Sequence, residues 1–193
     1  MRIDHAIYAT ADLDVAAARV ARELGVEAVG GGRHDGLGTH NRIVPLGGGT
    51  FIELLAVADP DEARRSALGA AIAGAIARGE GLLAWAVAVA DVEAVAARLG
   101  TTITPVGREG RTARLTAVAE ALATPCLPFF IERAAVAAER SPAIHWIEVA
   151  GDRARIEEWL GGAELPLRVV PGEARVLALG VGARELRAGQ TWS

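Results

Sequence analysis

A short apolar run, Ile3–Ala9, opens the chain, with Asp4 and His5 set into it. Asp12 follows, then an Ala/Arg/Glu-rich stretch with helical spacing that stops at Leu24-Gly25. Aspartate at such a boundary suits a helix cap, because its carboxylate accepts a backbone N–H. Glycine just past the last apolar position suits a left-handed C-terminal residue. Further short runs predict strands near 27–30, 40–46 and 50–57. "LGGGT" (46–50) reads as a hairpin turn, since glycine admits positive φ. Residues 60–79, "PDEARRSALGAAIAGAIARG", predict a helical connector that begins at Pro60 or Asp61 and stops at Gly79.

The same pattern then returns. "DHAIYATADLDVAAARV" (4–20) matches "LAWAVAVADVEAVAARL" (83–99), placing Asp12 on Asp91 and Arg19 on Arg98. "TFIELLAV" (50–57) matches "FFIERAAV" (129–136), placing Glu53 on Glu132. Both blocks share an offset of 79 residues, which indicates a duplicated unit. A fainter third copy, "AIHWIEVAGDRARIEEWLG" (143–161), places His145 on His5 and Asp152 on Asp12. Each unit reads β-α-β-β-β. The last strand of unit two is expected at 129–133, and strands of unit three at 166–170, 175–180 and 184–188. The expected organisation is one domain over 1–193, with modules at about 1–58, 81–136 and 142–189.

Composition narrows the chemistry. The 193 residues are 51% hydrophobic, enough to bury a sizeable core. Net charge is −4, the charges are mixed, and 4% of residues are aromatic, so nucleic-acid binding through a basic surface is not expected. No apolar run approaches a membrane span and no leader pattern opens the chain; a cytoplasmic protein is expected. Lone Cys126 has no internal disulfide partner and reads as a buried structural thiol. All 20 basic residues are arginine, which excludes Schiff-base lysines and a phosphate-loop lysine. None of the three serines lies in a G-x-S-x-G turn. Histidine, carboxylates and arginine remain for chemistry. Trp85, Trp146, Tyr8 and Trp159 read as core residues and Trp192 as part of the tail.

A repeated β-α-β-β-β unit with histidine on its first strand and glutamate on its last resembles the vicinal oxygen chelate superfamily. That superfamily includes glyoxalase I, extradiol dioxygenases and bleomycin-resistance proteins, and the nearest resemblance is to its glyoxalase-like domain family. The residues that carry it are "IDHAIYATADLD" (3–14), "GGRHDGLGTHNRIVPLGGGTFIELLAV" (30–56 and Val57) and "LPFFIE" (127–132). The resemblance implies an α+β fold of repeated β-α-β-β-β modules, whose curved mixed sheets surround a cup-shaped pocket. Metal ligands would face into that cup from first and last strands.

On that resemblance His5, Glu53, Glu132 and His145 are the candidate ligands of a divalent ion such as Zn, Ni, Mn or Fe. Mid-strand carboxylates such as Glu53 and Glu132 are costly to bury unpaired. Each needs a metal or an arginine, and the alternative to metal is an ion pair with Arg42 or Arg114. Arg133 alternates to the other face of its strand and is a poor partner for Glu132. The position matching His5 in unit two is Ala84, which leaves a cup of units one and two one ligand short. Pairing units one and three instead would add His145 and perhaps Glu185; two histidines and one carboxylate also suit non-haem iron.

His40, Asn41, Arg42 and Arg114 are the candidate substrate contacts, with His40 either a ligand or a hydrogen-bond donor to a substrate carbonyl. Asn41 either fixes its turn or touches the ligand. His34 reads as a loop residue. The expected function is a metal-dependent lyase or isomerase acting on a small oxygenated substrate, with Glu132 or Glu53 moving the proton. The alternatives are a metal-free protein that sequesters a drug or metabolite, an extradiol-type dioxygenase, and a degenerate domain acting through protein contacts. A homodimer is expected if one of three units lacks an internal partner.

Overall fold

The structure is a computed structural model that describes residues 1–108, 111–134 and 142–188. Trp192 and the outermost residues of the second and third units, 135, 136 and 189, lie outside the described residues. The first unit is β1 (Arg2–Ala9), α1 (Leu13–Leu24), β2 (Val29–His34), β3 (Thr39–Pro45) and β4 (Phe51–Val57). The connector holds α2 (Pro60–Ala63) and α3 (Ala67–Arg78). The second unit is β5 (Gly81–Ala88), α4 (Val92–Leu99), β6 (Ile103–Arg108), β7 (Arg111–Thr116), α5 (Val118–Ala123) and β8 (Phe129–Arg133). The third is β9 (Ile144–Ala150), α6 (Arg153–Trp159), β10 (Leu167–Val170), β11 (Arg175–Val181) and β12 (Arg184–Arg187).

Local chemistry sets the helix boundaries. The carboxylates of Asp12, Asp91 and Asp152 each accept N–H groups from the first turn that follows. Such a cap is worth about 1 kcal/mol. Gly25 and Gly100 end α1 and α4 in the left-handed conformation. The connector, expected as one helix, breaks into two. Asp59 caps α2, and the Ser66 hydroxyl accepts from Gly69 N–H and donates to Leu37 O, so a second helix starts at Ala67.

The first two units join in one curled eight-stranded sheet, ordered β2-β3-β4-β1-β5-β8-β7-β6. Each contributes a parallel first–last pair, β1 with β4 and β5 with β8, and β1 meets β5 antiparallel at the centre. The architecture is α+β, with the expected module in both halves. The third unit has the same order of elements along the chain but a different sheet order, β10-β9-β11-β12. Its first strand pairs in parallel with the next strand, β10, rather than with the last. Its resemblance to unit one is therefore local, and it adds a second sheet instead of a third copy of the half-cup.

The central strands of the eight-stranded sheet are buried on both faces. On one, α1 and α4 pack with Ile3, Ala6, Tyr8, Ile52, Leu54, Trp85 and Phe130, and the small sheet adds Ile147, Val149, Leu179 and Leu186 to the same core. On the other, Ile7, Leu55, Ala84, Ala86, Phe129 and Ile131 meet Ile72 and Ala75 of α3 and Ala121 of α5. Trp85 and Tyr8 are fully buried, as expected, and Trp159 packs against the first core. Trp146 departs from expectation. It is half-buried, packs over Gly180 and carries the Arg168 guanidinium 3.7 Å above its ring, where a helix was expected.

Candidate functional site

The expected ligands fall on three different surfaces. His5 and Glu53 lie on the α3/α5 face, the side the resemblance assigns to the cup. In β4, Ile52 and Leu54 belong to the α1/α4 core, and alternation sends Glu53 with Leu55 to the other side. In β8, Phe129 and Ile131 occupy the α3/α5 face, so Glu132 shares the α1/α4 side with Phe130. His145 is exposed on β9 of the small sheet.

The matching of Glu53 with Glu132 is corrected by strand register. Ile7 pairs with Glu53, whereas Ala86, the repeat partner of Ile7, pairs with Phe129 rather than with Glu132. The last strand of unit two is displaced by three positions relative to the sequence match. An odd displacement moves every side chain to the opposite face.

Glu53 belongs to a polar network on the α3/α5 face. Its Oε1 accepts from Asn41 Nδ2 at 2.5 Å and lies 3.8 Å from His34 Nε2. Asn41 Oδ1 accepts from Gly32 N–H at 3.0 Å, and His34 Nδ1 is 3.0 Å from Thr39 Oγ1. Antiparallel pairing of β2, β3 and β4 creates this arrangement, because directly opposed residues share a face. Asn41 therefore holds Glu53 and β2 rather than a turn. His34, expected in a loop, ends β2.

His5 sits in a second network. Its ring stacks on Phe51 at 4.4 Å and meets Phe129 edge-on at 5.3 Å. Its Nδ1 is 2.7 Å from Asp4 Oδ1. Asp4 is fully buried and also receives the Arg133 guanidinium. Burial raises the Asp4 carboxyl, but the hydrogen bonds and charges of His5 and Arg133 outweigh it and hold the group below its ordinary value. An ionised Asp4 makes His5 Nδ1–H the donor. Sequence reasoning missed Asp4 and Arg133 as partners; the one signal was an aspartate placed directly before the candidate histidine.

Glu132 is paired on the opposite face. Arg114 donates to Oε1 and Val92 N–H donates to Oε2 at 3.0 Å, so the carboxyl is held below its ordinary range. Arg114 also bridges to Glu93. Glu132 thus has Arg114, one of its two candidate arginines, as its partner. Glu53 has neither Arg42 nor Arg114, since Arg42 bonds Asp14 at 2.5 Å. Glu185, a further ligand if units one and three were to pair, is engaged with Arg187 on β12.

His40 and Arg42 point to the α1/α4 side, where an open cleft of about 670 Å³ separates the first turn of α1 from β2 and β3. Ala11–Asp14, Ala28, Gly30, Gly31 and residues 40–42 line it. His40 is half-buried there and has no hydrogen-bond partner among the described residues.

These donors do not fit a chelated metal. His5 and Glu53 share a face, but Glu132 lies across the sheet and His145 on another sheet. Among the described residues no three His, Cys, Asp or Glu side chains gather closely enough to hold an ion. Where unit two would supply ligands, the face presents Ala84, Ala86, Phe129 and Ile131.

A curled sheet of two antiparallel-joined β-α-β-β-β units, with His5 and Glu53 at the first- and last-strand positions, defines a protein of vicinal oxygen chelate architecture. The model of the glyoxalase-like domain matches residues 3–162, and the chain belongs to that family. Among solved structures, a methylmalonyl-CoA epimerase from Streptomyces coelicolor in complex with 2-nitronate-propionyl-CoA is 23% identical, with a TM-score of 0.51 over 72% of this chain and 97% of that one. A methylmalonyl-CoA epimerase bound to methylmalonyl-CoA is 24% identical, with a TM-score of 0.51 over 73% and 98%. A hypothetical protein from Staphylococcus aureus is 14% identical, yet reaches a TM-score of 0.67 over 92% of this chain and 89% of that one. At these identities the likeness is one of fold. No curated protein matches the sequence. Among the described residues no helix is long and apolar enough to cross a membrane.

Proposed function

We propose that this chain binds a small oxygenated molecule in the cleft between the first turn of α1 and the β2–β3 ribbon. His40 carries this reading: a half-buried imidazole that lines a cleft and has no protein partner among the described residues has its hydrogen-bonding capacity open to a ligand. Arg42 stands beside it. The ion pair to Asp14 occupies part of a five-donor guanidinium, and the remaining donors suit a ligand carboxylate or carbonyl. The ligands named in the epimerase structures, which are acyl-CoA derivatives, make small acids and their thioesters the first class to test.

A second reading, isomerase- or lyase-type turnover, would use the α3/α5 face, across the sheet from this cleft. Glu53 and His34 put a carboxylate and an imidazole 3.8 Å apart, both side chains less than a fifth exposed. Such a pair is suited to proton transfer without a metal.

The test is a melting-shift screen of small carboxylates, hydroxy acids and acyl thioesters on the wild type, His40→Ala and Arg42→Ala. A ligand at 100 times its Kd stabilises by about 2.7 kcal/mol. The expected result is a shift in the wild type that both variants lose. Equal shifts in all three chains would place the ligand elsewhere. Turnover of a hit that survives His40→Ala but is lost in Glu53→Gln would favour the α3/α5 face.

A further inference from the structure

The buried charges behind His5 form a closed set. The Asp4 carboxylate receives His5 Nδ1–H at 2.7 Å. It also receives Arg133 Nε, at 3.2 Å to Oδ1 and 3.0 Å to Oδ2, and Arg133 Nη2 at 2.9 Å. Arg133 Nη2 donates to Gly49 O at 2.8 Å, and the guanidinium carbon lies 5.5 Å from the centre of the Phe51 ring. Arg2 reaches the same carboxylate at 3.8 Å from a half-exposed position. Asp4 is fully buried, so its charge needs a resident cation.

Aspartate behind histidine is a common support for a metal-bound imidazole, because it fixes the ring and raises its basicity. Here the aspartate is already neutralised by a guanidinium that is itself tied to the Gly49 carbonyl and held over the Phe51 ring. A divalent ion on His5 would enter next to that positive charge. The facing wall of Ala84, Ala86, Phe129 and Ile131 offers it no further donor.

We propose that Arg133 is the resident cation of this cup, meeting the charge that a divalent ion would otherwise meet, and that the chain is a metal-independent member of its family. Arg133 lies on the strand where the resemblance looks for a ligand, one residue past Glu132 and on the face that Glu132 does not share. This inference does not rest on the His40 cleft, and either can fail while the other stands.

The experiment uses the full chain, untagged and purified without chelators. Elemental analysis is followed by calorimetric titration with Zn²⁺, Ni²⁺ and Mn²⁺. The expected result is well under one equivalent of metal as purified and no uptake tighter than about 1 μM, which corresponds to −8.2 kcal/mol. One bound equivalent that is lost in His5→Ala overturns the proposal. Melting curves of Arg133→Met, Asp4→Asn and the double variant test the pairing. Arg133→Met is expected to lose the most, and the double variant to regain part of that loss, since it no longer buries an unpaired charge. Simply additive losses overturn the pairing. Should Arg133→Met fail to fold, a folded double variant supports the proposal and an unfolded one overturns it.

Discussion

Glu53 and Glu132, matched by a 79-residue repeat, stand on opposite faces of one sheet. Glu53 accepts from Asn41 on the α3/α5 face, while Glu132 accepts from Arg114 and from the first N–H of α4 on the other. A shift of three residues in strand pairing separates two carboxylates that look equivalent in sequence.

The two should respond differently to salt. Glu132→Gln removes the charge from an ion pair at a partly exposed surface, so its modest loss of stability should shrink in about 1 M NaCl, where the screening length is about 3 Å. Glu53→Gln changes a contact to a neutral amide and one at 3.8 Å to the His34 ring, so at a pH where that ring is neutral its effect should be nearly independent of salt. Urea denaturation of both variants at two ionic strengths measures this. A salt-insensitive loss for Glu132→Gln would mean that Arg114 does not stabilise it.

Glu132 should also mark its presence in the acid limb. Arg114 and Val92 N–H lower its folded pKa. Its contribution is therefore fully present above the ordinary glutamate value of about 4.3 and is lost as pH falls through the lower folded value. The stability gap between wild type and Glu132→Gln should stay level from neutrality to about pH 5 and close on further acidification. A gap that widens toward acid would reverse the assigned sign.

Gly38 is held by its surroundings. Its φ is +66°, and an added Cβ would come within 2.2 Å of the Ala63 nitrogen. Gly36 has a similar φ of +76° but open space around it. Gly36→Ala should cost about 1–2 kcal/mol from backbone strain. Gly38→Ala should cost clearly more, because α2 must move as well. Equal losses in chemical denaturation would show that the contact with α2 is soft.

Ile72 of α3 is fully buried against the α3/α5 face. Ile72→Ala should destabilise the protein by about 2–5 kcal/mol, the range for a truncated core aliphatic. A loss below 1 kcal/mol in denaturant titration would mean that α3 is loosely held there and the cup is more open.

Cys126 is buried, and burial pushes its thiol up. It should react with a disulfide reagent at neutral pH only slowly in the native protein and rapidly in denaturant. Comparable native and denatured rates would contradict a structural thiol.

Elements whose signals are local were legible in the chain. Asp12, Asp91 and Asp152 cap the helices they precede, and Gly25 and Gly100 close α1 and α4, because a cap needs only residues a few positions away. The strands at 40–46, 50–57, 129–133 and 175–180 appear within one or two residues of expectation. The break at Ser66 was missed. Its signal, a hydroxyl positioned to cap a new turn, was masked by an otherwise continuous helical composition.

The candidate site was less legible, because its contacts are distant in sequence. Arg133 reaches Asp4 across 129 residues, and no pattern near either residue names the other. The pairing of His34 with Glu53 required β2, β3 and β4 to align first.

By itself the sequence determined the order of elements, the helix ends and the residue types available for chemistry, since these follow from composition and short-range hydrogen bonding, while its motifs carried the resemblance to the family. Only the tertiary structure decided which carboxylates share a face, that β9 pairs with β10 instead of the last strand of its unit, and that Arg133 pairs with Asp4 behind His5. The physical reason is strand register. Side chains alternate faces with a period of two, so one odd shift in pairing, invisible to a gapless repeat, redirects a whole row of side chains from one side of the sheet to the other.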